Sequence, residues 1–145
     1  MEAITIGKKF EEKYSFRETC FGIVKFNNKL LVVNKNGQYS LVGGGIENGE
    51  TFEQCLKREF IEESGYSISN FKELVTIDCY WLAANKYPML SRANIFVIEV
   101  DLSTKKAPLE NDCYPEWIDI VDAKELLPLP YHKKAIEYYM EKILK

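Results

Sequence analysis

Residues 43–66 read GGGIENGETFEQCLKREFIEESGY, and this stretch decides how the rest of the chain is read. Thr51 followed three residues later by Gln54 is a capping-box signature, so a helix is predicted to start there. Gly65 supplies a left-handed stop at its other end. Phe52, Leu56 and Phe60 recur every fourth residue, with Cys55 beside them, and form the apolar stripe that this helix would bury. On another face stand Glu59, Glu62 and Glu63, at i, i+3 and i+4. Like charges at those spacings destabilise a helix. Their place in its C-terminal half adds an unfavourable interaction with the macrodipole. A hard divalent cation turns that cost into a gain, because Mg²⁺ takes carboxylate oxygens and keeps sites for water and phosphate.

Gly43-Gly44-Gly45 follows an apolar segment and precedes the helix. Glycine lets a backbone approach a ligand closely, so a carbonyl there can be aimed at a cation. The stretch has no Gly-Lys-Ser/Thr of a P-loop, and Asn48 stands where a dinucleotide fingerprint needs its third glycine. Arg58 lies four residues before Glu62 and next to Glu59, within reach of Glu50. It keeps its charge in any environment and can orient a carboxylate. Each feature alone describes an ordinary solvated acidic face behind a glycine turn; their order and spacing together do not.

These residues resemble the Nudix box, G-x5-E-x7-R-E-U-x-E-E-x-G-U, where U is bulky and apolar. Gly44, Glu50, Arg58, Glu59, Phe60, Glu62, Glu63, Gly65 and Tyr66 fill its places over 23 of 145 residues. Tyr66 fits an aliphatic place loosely, and Val42 stands where many members carry proline. The resemblance implies a Nudix fold, an α/β/α sandwich with a mixed central sheet. It implies that Glu59 and Glu63 bind Mg²⁺ or Mn²⁺, that Glu62 joins or supports that cluster, that the carbonyl of Gly44 or its neighbour completes it, and that Glu50 and Arg58 are supporting residues. It also implies hydrolysis of a pyrophosphate linkage in a nucleoside diphosphate derivative. Glu59 is the first choice for the catalytic base and Glu62 the second; Glu110 and Glu116 are candidates outside the box. The MutT-like group of this family points to nucleoside triphosphates or nucleotide sugars as substrates. Dimers are common in the family, and no feature of this chain decides that point.

Beyond the box, the pattern alternates strands and helices, with hairpins dominating, which places the chain in the α/β class. Strands are predicted at Ile4–Ile6, Cys20–Phe26, Leu30–Val33, Tyr39–Val42, Leu74–Trp81, Ile95–Val100 and Trp117–Ile120. Turns fall at Asn27-Asn28 and Asn36-Gly37, and residues 82–89 read as a loop around Pro88. Helices are predicted at Asp122–Leu127 and Tyr131–Leu144, the latter turning Ile136, Met140, Ile143 and Leu144 inward. Arg17 is a candidate phosphate ligand. Tyr39, Tyr80 and Trp81 are candidates to stack on a base or pack in the core. The one histidine, His132, reads as a cap or surface residue.

A length of 145 residues suits one domain, 1–145. A net charge of −3 argues against a nucleic-acid tract or a polybasic membrane anchor, so an anionic substrate needs a local cation. The four cysteines lack C-x-x-C spacing and give no zinc signal. With no apolar leader, the expectation is a cytoplasmic protein with a small-molecule nucleotide partner. Two rival readings are a Nudix-fold nucleotide sensor without turnover and an isopentenyl diphosphate isomerase. The intact carboxylate cluster weighs against the first, and the single histidine against the second.

Overall fold

Five strands fold around the glycine stretch before the first helix begins. The computed structural model describes residues 1–9 and 13–144. β1 (Glu2–Ile6) and β2 (Ser15–Ile23) are followed by the hairpin of β3 (Lys25–Phe26) and β4 (Lys29–Lys35). Asn27 and Asn28 make that turn, both at positive φ, a conformation asparagine tolerates better than most residues. β5 (Gln38–Gly45) runs straight into the glycine stretch, and α1 (Phe52–Glu63) follows. The capping box is formed in full: Gln54 N–H donates to Thr51 Oγ1 at 3.1 Å, and Thr51 N–H to Gln54 Oε1 at 2.9 Å. Gly65, at φ +75°, ends the helix where a Cβ would collide with the carbonyl of Lys106.

After α1 come two long strands, β6 (Ser67–Leu82) and β7 (Pro88–Asp101), then β8 (Cys113–Asp119), α2 (Ile120–Leu126) and α3 (Pro130–Lys142). The sheet order is β1-β6-β7-β2-β5-β4-β3, with β8 paired to β4. β1 lies parallel to β6 and β2 parallel to β7, and the other pairs are antiparallel. The sheet is therefore mixed, as expected from sequence.

β4 shows how two layers cover this sheet. Leu30 and Val32 pack on one face with Ile136, Tyr139 and Ala123 of α3 and α2. Leu31 and Val33 pack on the other with Cys55, Leu56 and Phe60 of α1. Neighbouring residues of a strand point to opposite faces, so an unbroken apolar run marks a strand buried on both sides. Among the described residues, no helix is long and apolar enough to cross a membrane.

Four expectations need correction. The predicted strands at 74–81 and 95–100 are segments of strands of 16 and 14 residues. Register shifts at Ile68/Asn70 and Glu73/Val75 break the alternation that would have revealed the full length of β6. The loop at 82–89 shrinks to residues 83–87, because Pro88 opens β7, a position where a missing N–H is tolerated. His132 is neither cap nor surface: it is 0% exposed and faces inward from α3. The buried side of α3 is His132, Ala135, Ile136 and Tyr139, whereas Ile143 and Leu144, beyond the helix end, are exposed.

Candidate active site

The C-terminal half of α1, the end of β5 and the ends of β2 and β4 enclose a cleft of about 470 Å³. Glu59, Glu62 and Glu63 of α1 all line it, as their spacing predicted. Glu63 is 1% exposed; Oε1 accepts the Gly43 N–H at 3.0 Å and Oε2 receives the ammonium of Lys35. Burial pushes the Glu63 carboxyl up to about 7, against the opposing pull of Lys35 and the Gly43 N–H. Glu59, also buried, is raised for the same reason, with Arg58 opposing. Burial lowers the Lys35 ammonium, but the Glu63 carboxylate outweighs it and the net shift is upward. Glu62 is the most open of the three, and its contact with Arg58 Nη1 is 3.3 Å.

Arg58 organises the loop. Its Nε and Nη2 donate to the two oxygens of Glu50 at 2.6 and 2.8 Å, the bidentate fork that suits a carboxylate. Nη2 also reaches the Gly45 carbonyl at 3.1 Å, and Nη1 reaches Glu59 at 2.9 Å. Glu50 in turn accepts the Glu47 N–H at 2.8 Å. The Arg58 bonds hold the Glu50 carboxyl well below its usual range, at about 2. Glycine stretch, loop and helix are thus joined through one guanidinium.

The donor set can be tested against a divalent cation. Among the described residues, five carboxylates line the cleft against three cations, Arg17, Lys35 and Arg58, an excess of two negative charges. A Cβ on Gly44 would stand 2.6 Å from Glu59 Oε1, so the backbone lies directly against that carboxylate. Burial, reinforced by the Glu63 carboxylate, pushes the nearby Cys113 thiol up to about 11 and keeps it protonated. The available donors are therefore carboxylate and carbonyl oxygens, which fit Mg²⁺ or Mn²⁺ better than a thiophilic metal.

The other candidates fall on both sides of the boundary. Arg17 is exposed and lines the cleft beside Gly45. Tyr39 lines it too, with its hydroxyl donating to Glu116 Oε1 at 3.1 Å. Glu116 is thereby engaged outside the cleft, while Glu110 lies inside, its N–H bonded to the Glu62 carbonyl at 2.8 Å. Tyr80 packs edge-on against Tyr14, and Trp81 donates to Ser91; neither lines the cleft. Sequence reasoning missed Lys35, Gln38, Ser40 and Tyr131 as cleft residues. Only the fold carries the first three to α1. Tyr131 carried a signal as the first residue of the predicted last helix, but nothing marked which way it turns.

Fold and cleft define a mixed α/β sandwich in which a glycine loop and the following helix present a carboxylate cluster. The sequence profile of the NUDIX domain family matches residues 17–141, and the chain belongs to that family. A mutator MutT protein from Bacillus halodurans is similar in structure, with TM-score 0.70 and 20% identity over 83% of this chain and 80% of that one. A MutT NUDIX hydrolase from Burkholderia pseudomallei gives TM-score 0.68 and 21% identity, over 86% and 98%. At such identities these likenesses speak for the fold alone. Among curated proteins, the NAD-capped RNA hydrolase NudC of Vibrio atlanticus (strain LGP32) is 42% identical over 53 residues, 34% of this chain and 20% of that protein. Its counterpart in Vibrio cholerae is 44% identical over 39 residues, 27% and 14% respectively. The chain thus matches a fifth or less of the length of these relatives.

Proposed function

We propose that residues 1–145 act as one Nudix hydrolase domain that splits a pyrophosphate linkage in a nucleoside diphosphate derivative, with Mg²⁺ or Mn²⁺ as cofactor. The observation that carries this reading is the convergence of Glu59, Glu62 and Glu63 on one cleft with Gly44 against the Glu59 carboxylate. In this reading Glu59, Glu63 and the Gly44 carbonyl hold the metal, and Glu62 completes or flanks the set. When bound, the ion neutralises phosphate oxygens and lowers the pKa of water. Arg58 keeps Glu59 and Glu62 aimed into the cleft while its fork holds Glu50 and the loop. Sequence ranked Glu59 ahead of Glu62 as the base; the greater openness of Glu62 favours it here for taking the proton of the attacking water, with Glu59 as the alternative. Arg17, at the cleft mouth, offers a donor fork to a phosphate, and Tyr39 offers a ring to the base.

Nucleoside triphosphates and nucleotide sugars are the favoured substrates on the MutT-like resemblance. The name of the NudC relatives adds a third class, the NAD pyrophosphate, free or at an RNA end. A capped RNA end held through its pyrophosphate needs no basic tract and is compatible with the net charge of −3. Four unpaired cysteines suit a reducing compartment such as the cytoplasm. The test is release of phosphate, pyrophosphate or nucleoside monophosphate from triphosphates, nucleotide sugars, ADP-ribose and NAD, with and without Mg²⁺. Metal-dependent turnover of one class supports the reading and names the substrate. If none turns over but one raises the melting temperature, the chain is a nucleotide sensor instead.

A further inference from the structure

Lys35 is the last residue of β4, and its ammonium rests on Oε2 of Glu63. The other oxygen of Glu63 is occupied by the Gly43 N–H at 3.0 Å. This carboxylate is 1% exposed, whereas the Lys35 side chain is 35% exposed, so the lysine reaches it from the cleft side. Arg58 cannot substitute, because its fork is engaged by Glu50, Glu59 and the Gly45 carbonyl. Glu110 and Cys113 complete the surroundings, each with a side-chain ligand atom within 4.8 Å of one on Glu63. A buried carboxylate needs a counter-charge, and Lys35 supplies it.

We propose that Lys35 is a built-in counter-cation that competes with the divalent metal for Glu63 and so sets the affinity of the site. An ammonium and a divalent cation cannot share Oε2, since like charges at contact repel strongly where water is scarce. Lys35 must leave that oxygen before Glu63 can serve as a ligand. Its flexible stem and three donors leave it in the same cleft, free to meet an anionic phosphate. The pair thereby keeps the site charge-balanced without metal, at the expense of metal affinity. This inference rests on the metal-dependent reading above.

The test is Mn²⁺ binding by calorimetry, without substrate, to the wild-type chain and to the Lys35→Met and Lys35→Arg variants. Lys35→Met keeps the stem and removes the competitor. It is expected to bind Mn²⁺ about tenfold or more tighter, the direction expected when an adjacent, partly buried like charge is removed. Lys35→Arg keeps the charge and is expected to stay near wild type. Equal affinity in all three overturns the role of Lys35 and leaves the metal reading standing. Absence of Mn²⁺ binding by the wild-type chain overturns both. If Lys35→Met does not fold, the ammonium signal of Lys35 in the ¹⁵N-labelled wild-type chain decides. Addition of Mg²⁺ is expected to shift it and speed its solvent exchange, and an unchanged signal at saturating Mg²⁺ overturns the proposal.

Discussion

The buried imidazole of His132 accepts the backbone N–H of Leu41 through Nδ1 at 3.4 Å, tying the first turns of α3 to β5. Leu41 lies two residues before Gly43, so the contact anchors the strand that delivers the glycine stretch. Rings of Phe21 and Tyr131 stand edge-on to the imidazole at 4.4 and 4.9 Å between centroids, and both rings line the cleft. Nε2 is buried without a hydrogen-bond partner among the described residues. Burial, with a smaller contribution from Lys35, holds His132 down at about 3 against an ordinary 6.5. The folded chain keeps this histidine neutral while the unfolded chain takes up a proton below pH 6.5, so stability is full above 6.5 and falls as pH drops toward 3. From this group alone the loss between pH 7 and pH 5 should be roughly 2 kcal/mol. His132→Leu should be less stable than wild type at pH 7 by about 1–3 kcal/mol, because Leu41 N–H loses its acceptor. At pH 5 the gap should close. Denaturant unfolding at both pH values measures it, and a pH-independent gap would remove the histidine from the acid response.

The Arg58 fork makes a different prediction. Lysine retains the charge but cannot bond both Glu50 oxygens while also reaching Glu59 and the Gly45 carbonyl. Arg58→Lys should therefore change the melting temperature little and lower kcat/KM by about 10- to 100-fold, as for residues that orient ligands. Glu50→Gln should do likewise, since it accepts from Arg58 and from Glu47 N–H at once. The Glu50 interaction should also titrate. It is present above the ordinary carboxylate value of 4.5 and lost as pH falls toward about 2. Wild-type kinetics in Arg58→Lys would show that loop and helix hold their geometry without the fork.

Legibility in the sequence followed locality. The capping box, the Gly65 stop and the three glutamates share one helical segment, so spacing alone set their directions, and the structure has the three glutamates on one cleft. Arg58 and Glu50 are eight positions apart in the same loop–helix unit and were equally readable. Lys35 was not, because it meets Glu63 across 28 residues of chain and only the sheet order carries it there. His132 was misread because a histidine at a helix start resembles a cap, and its 91-residue separation from Leu41 hid the partner. β6 was underestimated because its two bulges interrupt the two-residue period, and β7 because Pro88 at its start read as a loop signal.

The three carboxylates should separate by function. Glu59→Gln and Glu63→Gln should fold but lose turnover at limiting Mg²⁺, along with most of the metal-induced rise in melting temperature, since both remove an anionic ligand. Glu62→Gln should keep more of that thermal shift while losing activity on the order of 10²–10⁴-fold, the range for removal of a general base. Steady-state kinetics together with thermal melts at graded Mg²⁺ distinguish the cases. Full activity in Glu62→Gln would transfer the base to Glu59. An undiminished thermal shift in Glu59→Gln or Glu63→Gln would remove that residue from the metal site.

Two adjacent glycines give a sharper contrast, because the same added methyl group meets different surroundings. On Gly44 it would lie 2.6 Å from Glu59 Oε1 and 2.9 Å from the carboxyl carbon, and the carboxylate has to move. On Gly45 the nearest atoms are the Arg17 guanidinium nitrogens at 3.7 and 3.8 Å, an ordinary contact. Neither residue has a positive φ, so backbone strain does not confuse the comparison. Gly44→Ala should raise the Mn²⁺ dissociation constant and lower kcat by about 100-fold, the loss associated with misplacing a reacting group by about an ångström. Gly45→Ala should have a far smaller effect on both. Calorimetric metal affinity and kcat on the two variants check the claim, and matched losses would mean that the loop responds to any side chain rather than to contact with Glu59.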